Sequence, residues 1–325
     1  MKAMVFTKFG PPQSVLQLQE IPQPKPQDHQ VLVKIHTSAI NDYDWSMVRG
    51  KPYLYRLMYG LGKPKIPVPG MELAGTVEAL GPEVTSFKKG DQVYGDTSAY
   101  GFGTFAEHLC IHENALVHKP ANMSFEEAAS ISHASMLALQ GLRDLGKIQE
   151  GQQILINGGG GGVGTFGLQI AKQYNAEVTG VDTGEKLNMM KDLGFDYVLD
   201  YRQQDFTRKG QQYDLILDCK TTRSPFAYLR SLKPKGRYIT VGGALPRLLQ
   251  MFLLKGFINR FSQKTLDILP LKPNKGLEYI NQLYENDQIK CIIDGPYPLS
   301  EVPRAIQYFG EGKHAGKVVI SVCDP

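Results

Sequence analysis

The stretch QILINGGGGGVGTFGLQIAK, residues 153–172, holds five consecutive glycines at 158–162 and another at Gly164. Glycine loses more conformational freedom on folding than any other residue, so such a run has to serve a tight turn or a close backbone approach. The flanks say which. A β-type apolar run ends at Asn157 and an apolar helical pattern begins near Val163, so the glycines form the turn of a strand–turn–helix unit. A turn of this kind brings backbone N–H groups and a helix N-terminus toward an anion. Gly159, Gly161 and Gly164 satisfy G-x-G-x-x-G, where side chains at the first two positions would block a pyrophosphate and one at the third would push the helix off the sheet. The next strand ends at Asp182, eighteen residues beyond Gly164, near where an acid grips a ribose diol. The spacing therefore predicts a dinucleotide held by Gly159, Gly161, Gly162, Val163, Gly164 and Asp182. A plain βα turn in a flavodoxin-like domain is the bland alternative, and the strand–turn–helix context disfavours it.

Around this unit the pattern changes twice. From Met1 to about Lys119, short β-type runs such as QVLVKIHTSAI and GMELAGTVEALG are punctuated by Pro and Gly, which predicts a compact, barrel-like β domain. From SFEEAASI onward, strands alternate with helices, beginning with a helix to Leu145, as βαβ units on a parallel sheet do. The closing runs CIIDGPYPL and GKVVISV return to strands and are expected to rejoin the first domain. Boundaries are expected at residues 1–123, 124–270 and 271–325, and a chain of 325 residues is long enough for two domains.

Composition excludes several partners. A formal charge of +4 spread over 36 basic and 32 acidic residues is a mixed surface without a compact Lys/Arg block, which argues against nucleic acid. No run of about eighteen apolar residues appears, and the opening MKAMVFTKFG lacks a signal-peptide core, so stable membrane insertion is not expected. Cys110, Cys219, Cys291 and Cys323 form no CxxC pair, which argues against a disulfide framework or a cysteine-rich zinc module. A cytoplasmic location is expected.

Taken together and in order, MKAMVFTKFG, VLVKIHTSAIND, PVPGMELAGTVEALG, GDQVYG, FEEAASI, GGVGTFGLQIAK and GKVVISV resemble the medium-chain dehydrogenase/reductase superfamily, in its quinone oxidoreductase branch. The resemblance implies an α/β chain in which a doubly wound Rossmann sheet is inserted in a GroES-like β-barrel domain built from both chain ends. It places NAD(P)H in the cleft between them, with the nicotinamide facing the first domain. Zinc alcohol dehydrogenases of that superfamily hold the metal with a Cys, a His before a Glu, and a further Cys. The matched places here are Asn41, Met71 and His133. Zinc takes thiolate, imidazole or carboxylate ligands, so an amide and a thioether predict a zinc-independent enzyme. Glu72 then reads as a structural acid.

Without a Lewis acid, hydride can still go to an acceptor polarised by conjugation, a quinone or an α,β-unsaturated carbonyl. Asn41 offers an NH₂ to the oxygen that gains charge, and Tyr43 and Asp44 are expected to add a donor or a proton path. Tyr53, Tyr55 and Tyr59 are expected mainly to pack. For the dinucleotide, Asp182 favours NADH by accepting from both ribose hydroxyls. Lys186 and Tyr201 match positions that hold the 2′-phosphate in NADPH-dependent quinone reductases of the family, and Arg202 adds a cation nearby. Gly242 and Gly243, closing YITVGG, complete the expected cofactor set. Asp182 tips the expectation to NADH, because Lys186 on its helix is free to swing into solvent. The apolar segment 244–261 is expected to form a pocket wall or subunit contact ahead of a membrane or lipid contact, and homodimerisation stays open. Two other function classes remain: an alcohol or aldehyde oxidoreductase, and a non-catalytic nucleotide-binding redox sensor.

Overall fold

The computed structural model describes residues 1–323. It divides into one unit of Met1–His133, Pro273–Leu277 and the chain from Ile293 on, and a second of Ala134–Lys272 and Glu278–Ile292.

In the first unit the strand Gln30–Ala39 is the organiser. Its apolar residues are buried along almost the whole length, because it is paired on both edges. It runs antiparallel to Glu72–Leu80, to His108–His112 and to Lys317–Ser321. Gln92–Asp96 extends the sheet beyond Glu72–Leu80, and Ile293–Pro298 lies parallel to Lys317–Ser321 at the other end. The β domain is thus closed by strands from the far end of the chain. One apolar core gathers Val31, Val33, Ile35, Leu73, Val77, Val93 and Ile111. Another joins Phe6, Ile40, Met47, Val48, Val318 and Ile320.

Register brings distant polar residues to one end of this sheet. Ala39 pairs with Val319 and the Ile40 N–H donates to Val318 O at 2.9 Å, so Asn41, one step on, stands across from Lys317. On the other edge Ser38 pairs with Leu73, next to Glu72, and Glu72 pairs with Asp96.

The second unit is a parallel six-stranded sheet. Its spatial order is Tyr197–Asp200, Glu177–Asp182, Gln153–Asn157, Tyr213–Asp218, Leu232–Thr240 and Thr265–Ile268. In chain order that is 3-2-1-4-5-6, the doubly wound arrangement whose ligand crevice opens where the order reverses, beside the carboxyl ends of the first and fourth strands. Those ends are Asn157 and Asp218, paired in register.

Three expectations shift. The first boundary falls between His133 and Ala134, inside the helix Phe125–Leu139, because the backbone of His133 is bonded to Glu72 of the first unit. The helix reaches Leu145 only through a wider π-type turn at Gln140–Leu145. The helix Leu277–Glu285, assigned to the return segment, belongs from Glu278 on to the second unit. There the Arg143 guanidinium stacks 5.1 Å from the Tyr279 ring, and Gln169 and Lys290 exchange hydrogen bonds of 3.1 and 2.8 Å.

Candidate active site

Glu72 is the hub of the first unit's polar cluster. It is fully buried, and its two oxygens accept from four donors. Oε1 accepts from the Ser132 hydroxyl at 2.8 Å and the His133 N–H at 2.6 Å. Oε2 accepts from Asn41 Nδ2 at 2.7 Å and is paired with the buried Lys317 ammonium. A carboxylate has about four lone-pair sites, and all are filled. Lys317 Nζ also donates to Asn41 Oδ1 at 2.5 Å. Two charges removed from water cost several kcal/mol each unless geometry and extra hydrogen bonds compensate, and here every polar atom of the pair has company.

Asn41 is consequently committed at both ends of its amide. Its NH₂ donates to Glu72 and, at 3.4 Å, to Ala39 O, so it does not face outward as the sequence reading expected. The cause is the ammonium across the strand, which claims the carbonyl oxygen and turns the NH₂ toward the carboxylate. Asp44 is also fully buried. It accepts from the Asn41 N–H at 2.8 Å and the Gly70 N–H at 2.9 Å, and burial pushes its carboxyl up to about 7. It fixes the start of the helix Asp42–Arg49. Tyr43, on the first turn of that helix, is half-buried, its ring 6.0 Å from Tyr55 and 6.2 Å from Phe102. Tyr59 packs on both of those rings, at 6.0 and 5.7 Å. Burial pushes the Tyr55 hydroxyl up to about 12, so it stays a proton-bearing group. Tyr53 is exposed.

His133 Nδ1 lies 2.7 Å from Asp96 Oδ2. Burial pushes the Asp96 carboxyl up, but the imidazole's charge and hydrogen bond, with the bonds from Ser98, bring it net below its ordinary value. Of the three places that match the zinc ligands, then, Asn41 is an amide bound to an ammonium, Met71 is a buried thioether and His133 is turned to Asp96. The neighbouring carboxylate, Glu72, is saturated. This donor set does not fit zinc. Among the described residues no group of three or more His, Cys, Asp or Glu is arranged to hold a metal.

In the second unit the glycine turn is tightly built. Gly158 takes φ +92°, a conformation L side chains rarely adopt, and both it and Gly159 donate N–H bonds to Val181 O, at 2.8 and 3.0 Å. Gly160 N donates to Asp182 Oδ2 at 2.9 Å and Gly161 N to Gly158 O at 3.2 Å. The N–H groups of these four glycines are thus spent inside the turn. Gly162, Val163 and Gly164 open the helix Gly162–Lys172, where N–H groups have no intrahelical acceptor. Unpaired N–H groups at a helix start suit an anion, and these three belong to the set the spacing names. A Cβ on Gly164 would sit 2.2 Å from Gly158 O, as the third-glycine rule expects. At Gly159 an added Cβ would strike Met190 Cε at 2.6 Å, so this glycine also serves the packing of the neighbouring helix Leu187–Leu193.

Asp182 and Lys186 are both buried, with Nζ 3.3 Å from Oδ1. Lys186 therefore does not hang in solvent. Asp182 also accepts from the Thr183 N–H at 2.8 Å. Tyr201 is exposed beside the strand end, its N–H on Asp182 O at 3.1 Å, and Arg202 pairs with Glu185 at 2.7 Å. Gly242 O accepts from the Thr221 N–H at 3.1 Å, and Gly243 bridges Thr221 next to Asp218. Asp218 binds Asn157 Nδ2 at 2.7 Å and Tyr238 OH at 2.6 Å, tying the strand ends under the crevice. The predicted dinucleotide residues thus gather at the carboxyl edge of the sheet.

Residues 27–121 match the alcohol dehydrogenase GroES-like domain and residues 193–320 the zinc-binding dehydrogenase domain. The 2-methylene-furan-3-one reductase of Solanum lycopersicum is 31% identical, over 98% of this chain and 79% of that protein. The chain belongs to the medium-chain dehydrogenase/reductase superfamily, in its quinone oxidoreductase branch. A second relative, the NADPH-dependent alkenal/one oxidoreductase of Arabidopsis thaliana, is 30% identical over 98% of this chain and 79% of its own. Among solved structures, the quinone oxidoreductase from Coxiella burnetii superposes with a TM-score of 0.86 at 27% identity, covering 99% of each chain. The chain is an oxidoreductase of this branch, although one of its matching family descriptions names zinc and its own residues do not fit that metal.

Sequence reasoning missed Lys317. The signal lies in GKVVISV itself, where a single lysine opens an otherwise apolar strand. A lysine opening an apolar strand needs a buried acid, and Glu72, read from the sequence as a structural acid, is that partner.

Proposed function

We propose that the protein transfers a hydride from NAD(P)H to a quinone or an α,β-unsaturated carbonyl without zinc. The observation that carries this reading is the Lys317 ammonium bonded to both Asn41 and Glu72, a fixed cation where a metal's ligands would have to converge. An acceptor activated by its own conjugation needs no Lewis acid, and the relatives named for alkenal/one, furanone and quinone reduction support that class.

When bound, the reduced dinucleotide supplies the hydride. The N–H groups of Gly162, Val163 and Gly164 hold its pyrophosphate. Tyr43, whose ring packs with Tyr55 and Phe102, offers a hydroxyl to the acceptor oxygen and a proton to balance the hydride, and water restores the proton. Asn41 and Asp44 are positioning residues that lock the backbone from which Tyr43 projects. The aromatic rings beside Tyr43 suit a flat acceptor.

For the dinucleotide, the buried Lys186 beside Asp182 supports NADPH over the NADH first expected: the ammonium offsets the carboxylate that would repel a 2′-phosphate, and the Arabidopsis relative is named as NADPH-dependent. The four free cysteines support a reducing, cytoplasmic setting, while that relative is named chloroplastic.

Initial rates with NADPH and NADH against a small quinone, an alkenal and, in reverse, a primary alcohol test the reading. Quinone and alkenal are expected to be reduced and the alcohol left unoxidised. Lys186→Ala should lower kcat/KM for NADPH about tenfold and for NADH far less, a difference of about 1.4 kcal/mol. Alcohol oxidation matching quinone reduction would move the chain to the alcohol dehydrogenases, and no turnover at all would leave a nucleotide-binding protein.

A further inference from the structure

The helix Leu245–Phe261 lies on the second unit with Met251 and Ile258 buried beneath it. Its opposite face carries Leu249, Phe252, Leu253, Phe257 and Phe261, between 55% and 70% exposed. These positions recur at steps of three and four and form one continuous stripe. Phe226, also exposed, comes from the helix Pro225–Arg230 packed alongside. The sequence leaves this segment as a pocket wall, a subunit contact or a lipid contact, and these large apolar side chains face outward.

Charge says what they face. From Cys219 to Leu266 the chain contains no Asp or Glu and ten cations: Lys220, Arg223, Arg230, Lys233, Lys235, Arg237, Arg247, Lys255, Arg260 and Lys264. Some are answered from outside the segment, Arg223 by Asp205, Lys233 by Asp214, and Arg237 and Lys255 by Asp267. On the helix itself Arg247 donates to Thr222 O and Gln250 Oε1, both neutral, and the exposed Arg260 lies over the Phe261 ring at 5.9 Å. An apolar stripe on a helix that carries cations and no acid of its own, with Arg247 and Arg260 set on neutral groups, is the pattern of a helix lying in an anionic lipid interface. A second copy of the chain docked by this face about a two-fold axis would set the same cations against themselves. No helix among the described residues is long and apolar enough to cross a membrane, so the contact is superficial.

We propose that this face docks the protein on bilayers rich in anionic phospholipid. Phe252, Leu253, Phe257 and Phe261 enter the acyl boundary, and Arg247 and Arg260 meet the headgroup phosphates.

The test is sedimentation of the full chain with vesicles of phosphatidylcholine alone and of phosphatidylcholine mixed with phosphatidylglycerol, at low and high salt. Each cation near an anionic surface contributes about fivefold to partition, so the mixed vesicles should bind and salt should release them. Leu253→Ser with Phe257→Ser should weaken partition by roughly tenfold or more, and Arg260→Glu should weaken it on the mixed vesicles alone. NADPH–quinone turnover with a water-soluble quinone and the melting temperature, both unchanged, would show the variants folded, and vesicle binding is read whether or not turnover occurs. Absence of binding to the mixed vesicles at low salt overturns the proposal. So does equal binding by the serine variant, or a wild-type dimer in sedimentation velocity that the serine variant splits, which would assign the face to a second copy.

Discussion

Asp44 carries an unusual load for a carboxylate. It accepts two backbone N–H bonds, which favour its ionised form, yet complete burial outweighs them and its carboxyl stands at about 7. Linkage fixes the sign. Because the folded pKa is raised, the native state binds a proton more firmly than the unfolded chain, so this stability is fully present below about pH 4 and is lost as pH rises through about 7. A shift of about three units corresponds to about 4 kcal/mol. The difference in unfolding free energy between wild type and Asp44→Asn, measured by denaturant titration from pH 5 to pH 8.5, should therefore move against the wild type as pH rises. A pH-independent difference would mean that Asp44 stays ionised throughout. At this scale the sequence showed which positions matter but not which way they point. Asn41 was legible as the residue in a vacated ligand place. Its orientation depends on Lys317, 276 residues away, and only the strand register brings the two together.

At the scale of elements, the strand–turn–helix unit was the most legible part of the chain, because glycine spacing is a local steric code. Gly164 keeps its predicted task, while Gly159 serves the side chains of Met190 and Phe195, a contact no spacing rule contains. Gly164→Val is expected to overpack the turn at a cost of roughly 1–3 kcal/mol. It should weaken dinucleotide affinity by more than about tenfold, as read by quenching or enhancement of nicotinamide fluorescence. The β-domain signals of the spectrum should persist, and unaltered affinity would place the pyrophosphate elsewhere. The helix Leu245–Phe261 was hard to assign for a physical reason: it is apolar on both its inward and its outward face, so periodicity alone does not tell core from surface. The domain boundary slipped by ten residues because the helix Phe125–Leu139 reads as one element, whereas the bonds from Ser132 and His133 to Glu72 tie its first part to the β unit.

At the scale of the molecule, the polar cluster is assembled from both ends of the chain. Glu72 comes from an early strand, Asn41 from the cap of the helix Asp42–Arg49 and Lys317 from the last strand, so the buried charge is neutralised only when the final strand docks on Gln30–Ala39. The ammonium delivered this way neutralises the neighbouring carboxylate, and on the proposed reading the hydride goes to acceptors that are already polarised. The direct test is zinc content together with NADPH–quinone turnover, before and after exhaustive dialysis against a chelator. No stoichiometric zinc is expected, and turnover is expected neither to fall with chelator nor to rise when zinc is returned. Tightly held stoichiometric zinc whose removal abolishes turnover and whose return restores it would contradict the account.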